Sequence, residues 1–124
     1  LPVPSLAGDP YLEKLNSTIA CVVKKKPLEW KLAFQSKGGG AVPWLGPTAE
    51  EVIKEAKEAG KKGVLIVPLG FVADHVETLY DIDILFKKTA IEAGLRFSRA
   101  ASLNDSPKFI SMLADVIKRH GGAA

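Results

Sequence analysis

From Asp9 onward, apolar residues return every three or four positions. Leu12, Leu15, Ile19, Val22 and Val23 precede the run Lys24, Lys25, Lys26 and then Pro27, which is the spacing of a helix with one apolar face. Asp9 and Pro10 suit its start, because the aspartate can accept from orphan backbone amides and proline fits a first turn. "EWKLAFQ" reads as a short strand ended by Gly38, Gly39 and Gly40, and "GGGAVPWLGP" as a long loop. Thr48 and Glu51 form a capping box for a second helix, with Val52, Ile53 and Ala56 on one side and a stop near Gly60. "GVLIVPLGF" is a continuous apolar run of the kind that fits a parallel strand covered on both faces. A third helix starts about Asp74 and can continue to Gly94, and "LRFSRAA" is a weaker strand candidate. The last helix has Ser106 as its cap, Pro107 at its first position, a stripe of Ile110, Leu113 and Ile117, and a Gly-Gly stop.

Helices alternating with strands predict an α/β fold: a three-layer sandwich around a parallel sheet, with ligands bound outside the carboxyl ends of the strands. Three strands are expected here, and one more just upstream of Leu1. A chain of 124 residues, 47% of them hydrophobic, is expected to form a single domain over 1–124 with a proper core. No apolar run approaches the roughly 20 residues that span a bilayer, so a soluble chain is expected. Seventeen basic and 14 acidic side chains leave a net charge of +3, with a basic cluster only at Lys24 to Lys26. That run suits a solvated helix end, and no nucleic-acid partner is expected. Cys21, in "IACVV", reads as a buried structural thiol in a reducing compartment. The chain lacks an initiator methionine and a signal-like apolar core, and reads as cut at its start.

The stretch "DHVETLYDID" raises the question of chemistry. At about 100° per residue, Asp74, Glu77 and Asp81 share one narrow stripe, with Val76, Leu79, Ile82, Phe86 and Asp83 on the other side. Such a ridge is either a solvated face or a site. Its place just after the most apolar strand sets its first turn at the carboxyl edge of the sheet, where open α/β folds bind ligands. His75 is either hydrogen-bonded at the helix start or a ligand or proton carrier. Trp44, between Pro43 and Leu45, either plugs the core or offers an aromatic face to a flat ligand. No Cys/His pair has zinc spacing, no Ser/His/Asp elbow is present, and the triple glycine does not open a helix that could cradle phosphate.

Taken together, "AFQSKGGGAVPWLGP", "VPLGFVADHVETLYDID" and "SLNDSPKFISMLAD" resemble the carboxyl-terminal half of ferrochelatase, which inserts ferrous iron into a porphyrin in haem synthesis. The resemblance covers nearly the whole chain, in order. It implies a Rossmann-like chelatase lobe that forms one wall of a porphyrin cleft, the other wall coming from an amino-terminal lobe absent here. It places Glu77 at the glutamate of the D-H-x-E-T-L motif, as metal ligand or base, opposite a histidine that lies outside this chain. Asp74 and His75 are then expected as supporting relay groups and Asp81 as the outer step. Trp44 and Phe71 would grip the macrocycle, and Gln35 and Ser36 would orient the loop. Ferrous iron and porphyrin are substrates in this reading, no further cofactor is required, and no iron-sulfur cluster is expected. A bacterial cytoplasm is expected or, in a eukaryote, the matrix side of the mitochondrial inner membrane, with possible peripheral membrane association of the whole enzyme. Two other readings stand beside it: a short homodimeric cobalt or nickel chelatase, and a non-catalytic porphyrin-binding module.

Overall fold

The structure, a computed structural model, describes residues 2–35 and 41–121. A 3-10 turn (Val3–Leu6) precedes helix α1 (Tyr11–Lys25), where the Tyr11 N–H donates to Asp9 Oδ1 at 2.7 Å, as the Asp-Pro start predicts. Helix α2 (Ala49–Glu58) opens on the expected capping box. The Glu51 N–H donates to Thr48 Oγ1 at 3.3 Å and the Thr48 N–H to the Glu51 carboxylate at 2.8 Å.

Strands β1 (Gly63–Ile66) and β2 (Arg96–Arg99) pair in parallel, from Gly63 opposite Arg96 to Ile66 opposite Arg99. The class is therefore α/β with a parallel sheet, as predicted, but the sheet has two strands among the described residues and not three. "EWKLAFQ" is the strand that does not form. Its Glu29 pairs with Lys61 at 2.6 Å and its Lys31 with Glu55, so ion pairs hold the segment along α2 and the turn after it. Only Phe34 makes a bridge, to Thr48, its N–H donating to the Pro47 carbonyl at 2.9 Å. The run "GVLIVPLGF" also departs from expectation. Val64, Ile66 and Phe97 pack on the core, whereas Leu65 on the other face is 54% exposed.

Between the strands the chain crosses over in one unbroken helical rod: α3 (Val76–Tyr80), π-helical turns (Asp81–Phe86) and α4 (Lys87–Glu92). Its buried positions are Thr78, Ile82, Phe86 and Ala90, a strict spacing of four. In a pure α-helix that spacing drifts about 40° per step, roughly 120° over the series. The wider π turns, bonded i to i+5, advance less per residue and cancel part of the drift, as in the Lys87 N–H donating to Ile82 O. The stripe thus stays on a core completed by Ala49, Ile53 and Leu95. Uniform 100° steps misplace the amino-terminal apolar residues: Val76 is 84% exposed and Leu79 is exposed as well.

The helices preceding β1 and β2 end alike. Gly60 and Gly94 take φ of 71° and 74°, and the next residues bond back, Lys61 N–H to Ala56 O at 3.0 Å and Leu95 N–H to Ala90 O at 2.9 Å. These are left-handed glycine caps that swing the chain into the sheet. Helix α5 (Pro107–His120) starts at Pro107 after Ser106, as expected, but the serine side chain makes no cap bond. Its stripe is not buried either: Ile110, Leu113 and Ile117 are exposed. Cys21 is exposed too, since it lies about 200° around α1 from Ile19, the buried residue of that helix.

Two substitutions test this packing. Ile53→Ala removes a buried side chain shared by α2 and the crossover helix, and is expected to cost about 2–5 kcal/mol in denaturant unfolding. Gly94→Ala forces an L side chain into the left-handed region and is expected to cost about 1–2 kcal/mol, whereas Ala at the exposed position Glu92 changes the midpoint little.

Candidate functional site

The site forms where the loop after β1 turns into α3. His75 caps that helix, its carbonyl accepting from the Leu79 N–H at 3.0 Å. The fully buried Thr78 locks the start from inside: its hydroxyl donates to the His75 carbonyl at 2.9 Å and accepts from the His75 N–H at 3.0 Å. Threonine here takes the place that Glu or Gln fills in an ordinary capping box. The preceding amide is satisfied from outside, because the Asp74 N–H donates to Asn104 Oδ1 at 2.9 Å. Asn104 has a positive φ of 45°, a conformation that asparagine tolerates better than most residues. Its own N–H donates to the Val72 carbonyl at 2.9 Å.

Asp74 is bonded by three side chains. Asn104 Nδ2 donates to its Oδ2 at 3.1 Å, and Ser102 Oγ to its Oδ1 at 2.8 Å. Arg99 Nη2 pairs with the same Oδ1. These donors hold the Asp74 carboxyl below its ordinary value: the Asn104 amide lowers it most and the Ser102 hydroxyl next, burial opposes them, and Arg99 adds a smaller lowering effect. The guanidinium also reaches Asp83 through Nη1 at 2.6 Å and touches Ser102 Oγ at 3.3 Å. Arg99, Ser102 and Asn104 were not among the candidates read from the sequence. "SLND" entered only as part of a resemblance, and Arg99 lies in the weaker strand candidate; an arginine at the end of a strand facing a motif with several acids was the available signal.

Of the remaining candidates, Phe71, His75, Glu77 and Asp81 belong to the same loop and helix. Glu77 is exposed in the first turn of α3, one turn before Asp81, whose N–H donates back to the Glu77 carbonyl. Gln35 and Asp81 are brought together, Gln35 Nε2 donating to Asp81 Oδ2 at 2.9 Å. Phe71 and His75 meet edge to face, ring centroids 4.4 Å apart, and His75 Nε2 is buried with no hydrogen-bond partner among the described residues. Trp44 is half-buried in a loop that bridges Pro2, with the Val3 N–H donating to Pro43 O at 2.8 Å. Its Nε1 is likewise buried without a partner among the described residues. Ser36 lies outside the described residues.

Chemically, the loop and first turn carry the Phe71 ring and an imidazole beside carboxylates, a combination that a flat heteroaromatic ligand with exchangeable protons or a hard cation can use. Among the described residues no three His, Cys, Asp or Glu side chains converge to hold a metal ion. Any cation at Glu77 therefore needs donors from elsewhere.

Asp74 makes the start of the motif helix acid-sensitive. Its folded pKa lies below the ordinary 3.8, so its contribution to stability is complete above the unfolded value and disappears as pH falls through the folded one. The thermal unfolding midpoint is expected to fall at pH below about 4, and Asp74→Asn to be less stable at neutral pH with a shallower acid dependence.

Comparison with known proteins agrees with the geometry. The family model described as Ferrochelatase matches residues 1–121. A ferrochelatase of Geotalea daltonii is 45% identical over 113 residues, 90% of this chain and 35% of that protein. Those of Citrifermentans bemidjiense and Deinococcus radiodurans are 46% and 42% identical over 113 and 115 residues, each covering 90% of this chain. The chain spans about a third of the length of the curated relatives it matches, 35% and 36% of the last two. With a family model matched almost end to end and a capped, acid-bearing helix at the carboxyl edge of its sheet, the chain belongs to the ferrochelatase family.

Proposed function

We propose that this chain is the carboxyl-terminal lobe of an enzyme that inserts Fe²⁺ into protoporphyrin or coproporphyrin, and that it acts together with an amino-terminal lobe. The observation that carries the reading is Glu77: an exposed carboxylate in the first turn of a helix that starts beyond the carboxyl end of β1, with that start pinned from both sides.

Insertion exchanges two pyrrole N–H protons for one ferrous ion, so the reaction needs an acceptor for each proton and oxygen donors that replace the water around the cation. Glu77 serves as ligand or base, and Asp81, one turn on and bonded to the Gln35 amide, as the next acceptor outward. His75 stands beside Phe71, its buried Nε2 suited to a proton contact with an incoming group. Phe71 and Trp44 supply aromatic faces for the macrocycle. Asp74, expected as a relay, enters here as the anchor of the helix, because Arg99, Ser102 and Asn104 already occupy its oxygens. Bacterial relatives favour a bacterial cytoplasm for the whole enzyme. Among the described residues no helix is long and apolar enough to cross a membrane, and peripheral attachment belongs to this proposal only as a property of the whole protein.

In a full-length protein carrying this sequence, Glu77→Gln is expected to slow iron insertion by about 10²- to 10⁴-fold, the range of acid-base contributions, while porphyrin binding followed by fluorescence stays measurable. Undiminished insertion in that variant overturns the role of Glu77. Tight porphyrin binding by a full-length wild type that inserts no metal would favour the non-catalytic module instead.

A further inference from the structure

We propose that Arg99 is a positioning residue for Glu77, acting as a two-pronged clamp that ties the residue before the motif helix to its π-helical turns. The inference deepens the reading above and rests on Glu77 being the metal- or proton-accepting group. Arg99 ends β2, so its backbone belongs to the sheet, and its side chain is 12% exposed. One prong, Nη2, pairs with Asp74, ahead of the helix; the other, Nη1, reaches Asp83 in the π turns at 2.6 Å. Glu77 lies between these two acids along the chain.

The rod is therefore held on two sides. Ile82 and Phe86 anchor the π turns in the core, while Asp83 ties them to the sheet edge. A planar guanidinium is suited to this because its nitrogens are fixed relative to one another and bond two carboxylates at set positions, which a single ammonium on a flexible stem does not reproduce. Ser102 and Asn104 complete the coordination of Asp74, so this prong belongs to a bonded network and is unlike an isolated surface pair. Displacements near 1 Å at a reacting group cost rate without abolishing binding, and a clamp that sets the height and rotation of the first turn controls that displacement.

The test uses the full-length protein with Arg99→Gln, Arg99→Lys, Asp83→Asn and, as reference, Glu77→Gln, each assayed for kcat, porphyrin KM and Tm. Arg99→Gln is expected to lower kcat by about 10- to 100-fold with porphyrin KM changed less than about threefold. Arg99→Lys is expected to recover only part of the loss, because it restores charge without the fork. Asp83→Asn leaves the Asp74 prong in place and is expected to fold and to lose about three- to tenfold in kcat. Unchanged kcat in Asp83→Asn together with full rescue by lysine overturns the clamp, as does Arg99→Gln that lowers Tm but not kcat. If Arg99→Gln does not fold, Asp83→Asn decides alone, and wild-type kcat in it overturns the proposal. Full activity in Glu77→Gln sinks the reading of Glu77 itself; loss there with unaffected Arg99 and Asp83 variants sinks only the clamp.

Discussion

The buried stripe Thr78, Ile82, Phe86, Ala90 decides how the crossover helix meets the sheet, and the rest of the molecule follows from it. A repeat of four does not match the α-helical period, so the helix must either roll off its core or widen locally, and it widens at Asp81 to Phe86. Widening there keeps Ile82 and Phe86 seated against Ile53 and the inner face of the sheet. It also places Asp83 toward Arg99, whereas uniform α-helical spacing would put that acid among the apolar positions. Packing and electrostatics at the rim are therefore parts of one geometric solution.

Within the acidic stretch this solution separates two kinds of carboxylate. Asp74 and Asp83 converge on a guanidinium 12% exposed, which is paired through both terminal nitrogens while its Nε is buried without a partner among the described residues. Glu77 and Asp81 are one turn apart outside that cluster, where Gln35 reaches the second of them. Four acids within ten residues repel one another, and pairing two of them with Arg99 offsets part of that repulsion. In the proposed reading, groups whose positions are fixed by the fold in advance are the ones suited to meeting a cation and accepting protons.

What could be read from the chain was governed by how local each cause is. The Thr48–Glu51 box, the Asp9–Pro10 start, the stops at Gly60 and Gly94 and the first turn after β1 are decided by neighbours in sequence, and the structure has them. The strand at "EWKLAFQ" does not form, and the contacts the segment makes instead, to Thr48, Glu55 and Lys61, lie beyond it in the chain where a local pattern cannot show them. The π turns escaped notice because a fixed angular step was applied to a stripe whose period is four. Asp74 was grouped with Glu77 by spacing, yet its environment is made by Arg99, Ser102 and Asn104 from the far side of the crossover. Thr78, silent in a pattern search, supplies the buried lock of the motif.

Incomplete burial is the remaining structural fact that bears on function. Helix α5 buries no side chain, and Ile110, Met112, Leu113, Val116 and Ile117 stay exposed along it; on the outer face of the sheet Leu65 does the same, with Val67 exposed just beyond β1. Apolar surface left open in this way is unfavourable in water. The chain also corresponds to about a third of its relatives, and its described acids and histidines do not converge on a metal. These observations have one common explanation in our reading: the rim around Glu77 is half of a cleft. A macrocycle gripped on one side only would leave its other face and the approaching ion in bulk water, where the hydration of Fe²⁺ competes with every carboxylate offered. In the proposed whole enzyme, closing the cleft with a second lobe would exclude that water and cover exposed apolar side chains in the same step.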